Sequence, residues 1–179
     1  ARNNEAVARF FNESKVLSRL EHPHIPQVFD FGKTEDEISY LVMEFLRGES
    51  LSRRLRKLRE QNQRLSVPTA LQIAWQVADA LAVAHTQGIV HRDLKPDNLM
   101  LVADPIAPGG ERVKILDFGI AKLTNADPRG AVKTDTQAIM GSPMYMSPEQ
   151  CAGAGGVDAK TDVYSLGCVL YEALAGRPP

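Results

Sequence analysis

Residues 91 to 98 read His-Arg-Asp-Leu-Lys-Pro-Asp-Asn, and Asp117-Phe118-Gly119 follows further along the chain. The side chains of these two segments suit phosphoryl transfer, a reaction that asks little covalent help of a protein. It needs an acceptor hydroxyl held in line, a group that receives its proton, and positive charge to neutralise the phosphates. Asp93 is a carboxylate able to take the proton. Asn98 and Asp117 offer the hard oxygen ligands that magnesium prefers. Lys95 places a point positive charge beside the transferring group. A three-residue match such as His91-Arg92-Asp93 recurs by chance, but Asp-x-Lys-Pro-x-Asn upstream of Asp-Phe-Gly, with Ser147-Pro148-Glu149 beyond it, is a specific combination.

The elements that position these residues read as helix, short strands, then mostly helix. Residues 2–20 carry Val7, Phe10, Phe11, Leu17 and Leu20 at helical spacing, and Pro23, which lacks an amide hydrogen, ends that run. Val28-Phe29 and residues 38–45 alternate like strands on either side of a polar turn over residues 32–37. Residues 50–64 are strongly basic, with Arg53, Arg54, Arg56, Lys57, Arg59 and Arg64 around Leu51, Leu55 and Leu58. Such a stretch can meet nucleic acid or a membrane; the reading preferred is a solvated helix whose leucines pack inward. Ser66 and Pro68 open a second helix. Its expected apolar face is Leu71, Ala74, Trp75, Ala78, Leu81, Ala82 and His85, with Trp75 in the core and an end near Gly88. Strands are expected over residues 99–102 and 113–116, joined by a long turn rich in proline and glycine over residues 104–112.

Composition bounds the alternatives. A net charge of −1 with 44% hydrophobic and 24% charged residues fits an ordinary globular interior, so no nucleic-acid partner is expected. Residues 70–84, the least polar long stretch, are interrupted by Gln72, Gln76 and Asp79, and no membrane segment is expected within the chain. Cys151 and Cys168 are read, on the expectation that no secretory leader precedes them, as reduced thiols of a cytoplasmic protein. His22 and His24 lack further ligands nearby, so they are not read as a zinc site.

Taken in order, these motifs resemble the protein kinase superfamily, and the segments around them are most similar to bacterial serine/threonine kinases of eukaryotic type. The resemblance covers essentially all 179 residues and implies an α+β, protein kinase-like fold. Residues 10–13 with His22-Pro23-His24-Ile25 resemble the regulatory C-helix and the turn after it, residues 40–46 the strand and hinge behind adenine, and residues 162–167 the start of the buried F-helix. Lys95, two positions after Asp93, is the serine/threonine form of the catalytic loop, which implies ATP and Mg2+ as cofactors and a protein serine or threonine as acceptor. By position in the family, Met43 is the gatekeeper, the backbones of Glu44 and Leu46 meet adenine, Met100 lies under the ring, and Glu13 pairs with a strand lysine, with Glu5 as its rival. Leu17, Val28, His91 and Phe118 are implied to stack as an internal spine anchored by Asp162. Arg92 is implied to receive a phosphate from the activation segment, residues 117–149, where Thr134 and Thr136 resemble phosphoacceptors. Ser142 stands where the family normally has threonine, and Pro143 after it is less usual.

The family's Gly-rich loop and strand lysine do not occur ahead of Glu13, and residues 153–156 are read as a loop. The chain is therefore expected to be an incomplete catalytic domain. Residues 1–46 form a partial N-lobe with the hinge, and residues 47–179 most of a mainly helical C-lobe. Its parent is expected to dimerise for autophosphorylation and to carry any membrane segment outside these residues. Two other readings stay open: a pseudokinase or scaffold that signals by binding, and a small-molecule phosphotransferase of kinase-like fold. Retention of Asp93, Lys95, Asn98 and Asp117 weighs against the first, and the Ser147-Pro148-Glu149 segment against the second.

Overall fold

Two antiparallel sheets and three longer helices or helical turns surround the motif residues in a computed structural model that describes Lys15 and residues 18–118, 143–153 and 157–179. Most of the expected N-terminal helix, with Glu5, Glu13 and Leu17, lies outside these residues, as do Thr134, Thr136 and Ser142; Lys15 is helical, but residues 18–20, expected to end the helix, are turn and coil instead.

The first sheet is a hairpin of β1 (Val28–Lys33) and β2 (Ser39–Met43), with a bulge between Val28 and Asp30. Its turn closes through Thr34 N–H to the Ile38 carbonyl (2.9 Å) and Glu37 N–H to the Thr34 carbonyl (3.0 Å). The alternation seen in the sequence reports this pleat. Val28, Leu41 and Met43 turn inward beside Ile25 and Phe118, whereas Phe29, Tyr40 and Val42 are exposed.

The second sheet has the order β3-β4-β5, with β3 (Gly48–Ser50), β4 (Leu99–Ala103) and β5 (Glu111–Ile115) all antiparallel. The long turn between β4 and β5 is held by Asp104, whose carboxylate accepts from Arg112 Nε (2.5 Å) and Ile106 N–H (3.0 Å). Gly48 is the residue that lets β3 approach β4, because a Cβ there would stand 2.1 Å from the Leu101 carbonyl oxygen.

Helix α1 (Leu51–Glu60) starts at Ser50, whose hydroxyl accepts from Arg53 N–H, and it buries Leu51 and Leu55. The basic residues stand on its outer sides. Arg54 bridges Glu49 (2.6 Å) and Glu111 (2.8 Å), and Lys57 reaches Glu49 at 2.7 Å. Hydrogen bonds from Lys57 and then Arg54 push the Glu49 carboxyl down to about 2.

Helix α2 (Val67–Thr86) is capped by Ser66, which accepts from Thr69 N–H. Here two expectations are corrected. The buried residues are Ala70, Ile73, Gln76, Val77, Ala80, Leu81 and Ala84, so the packed face is turned from the one expected. Leu71 and Trp75 are exposed at 52% and 61%, and Ala78 and Ala82 are also outside. Both faces of this alanine-rich helix carry apolar residues at helical spacing, and the small side chains at 70, 80 and 84 are the ones that admit its neighbours. Trp75 instead sets its edge toward the His24 ring, centroids 6.5 Å apart. The second correction is that α2 is long and apolar enough to cross a membrane by length and composition, since glutamines add polarity but no charge. In this fold its buried face packs against α4 and β5, and other apolar residues such as Leu71 and Trp75 stay exposed. Buried Gln76 is satisfied there, donating to the Glu111 carbonyl (3.3 Å) and accepting from Val113 N–H (2.9 Å).

The short α3 (Pro148–Cys151) precedes α4 (Ala159–Ala175), which Asp158 caps. Leu51, Ile73, Val77, Leu94, Leu99, Ile115 and Val169 are among the residues of the shared core. Gly48→Ala is expected to destabilise the fold by about 1–3 kcal/mol, because backbone must move to admit one methyl group; urea unfolding of the two proteins measures it, and an unchanged midpoint would contradict the close approach.

Candidate active site

The chain leaves α2 through Gly88, whose φ of 74° turns it back toward β4. Between the two lies the loop that carries His91, Arg92, Asp93 and Lys95. One carboxylate organises it. Asp162 is fully buried in the first turn of α4, and its two oxygens accept from His91 N–H and Arg92 N–H, each at 2.8 Å. His85, at the end of α2, adds a third contact at 2.8 Å through Nε2. An ionised carboxylate only accepts, so this nitrogen carries the hydrogen.

Arg92 has a φ of 65°, a left-handed conformation that costs a non-glycine residue roughly 1–3 kcal/mol. It is paid for by the bonds around it: Asp162 takes its N–H, and Gln150 Nε2 donates to its carbonyl at 2.7 Å. The turn this makes brings Asp93 and Lys95 together, with Lys95 Nζ 2.9 Å from Asp93 Oδ2. Asn98 closes the group. It sits at the end of a 3-10 turn, Pro96–Asn98, and its Nδ2 donates to the Asp93 carbonyl at 2.8 Å and approaches Oδ2 at 3.4 Å.

The chain beyond β5 is tied to this group by backbone bonds one residue before Asp117. Leu116 N–H donates to the Asn98 carbonyl at 2.8 Å, and the Leu116 carbonyl accepts from His91 Nε2 at 2.8 Å, so Asp117 follows a residue bonded to both. Asp117 is exposed, with a φ of 54°, and Phe118 turns back to lie 4.9 Å from the His91 ring. Among the described residues no cluster of three or more His, Cys, Asp or Glu side chains is arranged to hold a metal. The Asn98 and Asp117 oxygens suit an ion that keeps water and takes further oxygens from a phosphate.

Of the residues expected around adenine, Met43 and Leu46 are half-buried, one ending β2 and the other just after it. Met100 is half-buried on β4, opposite Ser50 and Lys114. Glu44 has a further part that the sequence did not disclose. Its carboxylate accepts from Lys114 Nζ (2.7 Å) and Gln27 N–H (3.3 Å), while its own N–H donates to the Gln27 carbonyl (2.8 Å). Lys114, His85 and Gln150 are thus contributors that residue type alone did not single out. His85 falls by spacing on the expected apolar face, and its four-residue distance from Leu81 gives no sign of the buried acid opposite it.

The whole chain, residues 1–179, matches the protein kinase domain, and the chain belongs to that family. Among curated relatives, it is 40% identical over 177 residues to the serine/threonine-protein kinase pkn3 of Myxococcus xanthus, covering 99% of this chain and 31% of that protein. It is 42% identical over 179 residues to the serine/threonine-protein kinase PknA of Mycobacterium tuberculosis, covering 98% of this chain and 38% of that one. Among solved structures, the PknI kinase domain of Mycobacterium tuberculosis superposes with a TM-score of 0.73 at 32% identity, over 98% of this chain and 59% of that chain. The chain thus spans about a third of the curated relatives it matches.

His91 is fully buried, and burial lowers its pKa from the ordinary 6.5 despite the opposing Leu116 hydrogen bond and nearby aspartates. The geometry requires the neutral ring, because Nδ1 accepts from Asp93 N–H at 3.2 Å while Nε2–H is given to Leu116. His24 is lowered in the same direction, again by burial first. The unfolded chain therefore takes up these protons before the folded one does. Stability is fully present above 6.5 and falls as the pH drops below it. The melting midpoint is expected to drop between about pH 7.5 and about pH 5.5, ahead of carboxylate titration; a flat profile over that interval would be inconsistent with a neutral His91.

Proposed function

We propose that this domain transfers the γ-phosphoryl group of ATP to the hydroxyl of a serine or threonine in a protein substrate. The observation that carries the reading is the convergence of Asp93, Lys95 and Asn98 on one turn, with the Leu116 amide, one residue before Asp117, bonded to the Asn98 carbonyl. Asp93 holds the acceptor hydroxyl and receives its proton. Lys95, 2.9 Å away, offers positive charge to the phosphoryl oxygens and orients the Asp93 carboxylate. Asn98 commits its Nδ2 to Asp93, which leaves Oδ1 as the atom for a cation, and Asp117 supplies the second oxygen ligand. Magnesium bound there would neutralise charge on the phosphates. The backbones of Glu44 and Leu46 receive adenine, with Met43 behind it and Met100 beneath. Glu13, outside the described residues, is assigned to orient the phosphates through a lysine partner. Thr134 and Thr136 are the phosphoacceptors assigned to the activation segment, Arg92 the guanidinium that receives a phosphate there, and Ser142 a hydroxyl facing Asp93 and Lys95.

The names of the relatives support the serine/threonine choice, and so does Lys95 two residues beyond Asp93. In a radiolabelled ATP assay on the full-length protein, Asp93→Asn is expected to lower kcat by about 10²- to 10⁴-fold, the range for loss of a positioned general base. The Michaelis constant for ATP should change little, since Asp93 acts on the acceptor. Parental turnover in Asp93→Asn would overturn the mechanism.

A further inference from the structure

The peptide unit that joins Arg92 to Asp93 is gripped at both ends. Its N–H, on Asp93, is taken by His91 Nδ1 at 3.2 Å. Its carbonyl, on Arg92, receives Gln150 Nε2 at 2.7 Å. Gln150 belongs to α3, a different part of the chain, and the other end of its amide is also occupied. Oε1 accepts from Ser147 N–H at 3.1 Å, the reciprocal half of the capping arrangement that starts α3. One primary amide thus spans from the cap of α3 to the backbone of the loop carrying Asp93. It lines the same crevice as Arg92, Asp93 and Lys95.

The base from which Gln150 acts is firmly attached. Ser147 and Thr161 are fully buried, with their hydroxyls 3.1 Å apart, and Thr161 donates to Glu149 at 2.9 Å. Ser165 donates to the Tyr145 carbonyl at 2.7 Å, and Tyr145 donates its hydroxyl to buried Glu172. Thr161, Ser165 and Glu172 all stand on α4, the helix that also supplies Asp162. The loop is therefore held by α4 directly, through Asp162 at the Arg92 N–H, and indirectly, through α3 and Gln150 at the Arg92 carbonyl.

We propose that Gln150 is a positioning residue for Asp93, which sets the tilt of the Arg92–Asp93 peptide and with it the direction in which the carboxylate points. The left-handed Arg92 is what makes this contact matter. A strained residue returns toward ordinary backbone angles once a restraint is lifted, and rotation about Arg92 ψ swings the peptide that leads into Asp93. Asp162 restrains the two peptides that precede the Arg92 Cα. Gln150, together with His91 Nδ1, restrains the one after it.

The inference rests on Asp93 being the proton acceptor, and the test separates the two claims. In the full-length protein, Gln150→Glu keeps an oxygen for Ser147 N–H but presents a second acceptor to the Arg92 carbonyl. Gln150→Met removes both contacts while keeping the length of the side chain. Both variants are expected to lose about tenfold to a hundredfold in kcat, the cost of a displacement of about 1 Å in a reacting group. The Michaelis constant for ATP should stay within about twofold of the parent, because uniform binding is untouched. Amide hydrogen exchange at Asp93 should be faster in both, a readout that does not depend on turnover. Unchanged kcat and unchanged Asp93 exchange in both variants would overturn the proposal. So would a loss of kcat that vanishes when the proteins are compared at equal folded fraction. Asp93→Asn assayed alongside reports on the catalytic reading by itself: parental activity there with faster Asp93 exchange in the Gln150 variants would sink the reaction and leave the positioning standing.

Discussion

A carboxylate with no access to water is the constraint on which this structure turns. Removing Asp162 from solvent costs several kcal/mol unless its lone pairs are filled, and the fold fills them with His91 N–H, Arg92 N–H and His85. Because both backbone donors are on one short segment, satisfying the acid fixes the path of the loop that carries Asp93. The same contacts hold Arg92 in a conformation that it would not keep alone. The position of the site follows from how a buried charge is compensated on α4, a helix 70 residues further along the chain.

The second attachment lies between the β1–β2 hairpin and the β3-β4-β5 sheet. His24 donates its N–H to His22 Nδ1 at 3.3 Å, its ring meets the Val113 carbonyl at 3.0 Å, and its own carbonyl accepts from Ile115 N–H at 2.9 Å. Lys114, between those two residues, reaches Glu44 just beyond β2 and the Ile25 carbonyl at 3.4 Å. Three consecutive residues of β5 therefore fasten the turn before β1 and the segment after β2. The next residues of that strand lead to Asp117. Residues assigned to adenine and to magnesium are consequently joined by a few bonds of fixed length.

Helix α2 shows how far periodicity carries. Its ends were legible, since Ser66, Pro68 and Gly88 act through local backbone chemistry and need no neighbour. Its buried side was not. Trp75, with the largest apolar surface, is expected inside by its size, yet a helix packs where small residues allow approach, and Ala70, Ala80 and Ala84 lie on the other face. The inward Leu51 and Leu55 of α1, with Leu58 half-buried beside them, are legible because its remaining positions are nearly all charged, which leaves only one stripe to bury.

The sequence by itself determined the chemistry on offer: a carboxylate, an ammonium and two oxygen ligands at spacings that suit phosphoryl transfer, on a chain of alternating strands and capped helices. These features depend on residue type and on contacts within a few positions. Tertiary structure alone decided what holds them. His85 meeting Asp162, Lys114 meeting Glu44 and Gln150 meeting the Arg92 carbonyl join residues 77, 70 and 58 positions apart. The energy of such contacts comes from burial and from satisfying polar groups shut away from water. Neither exists until the separated segments are packed together, so no local pattern in the sequence records them.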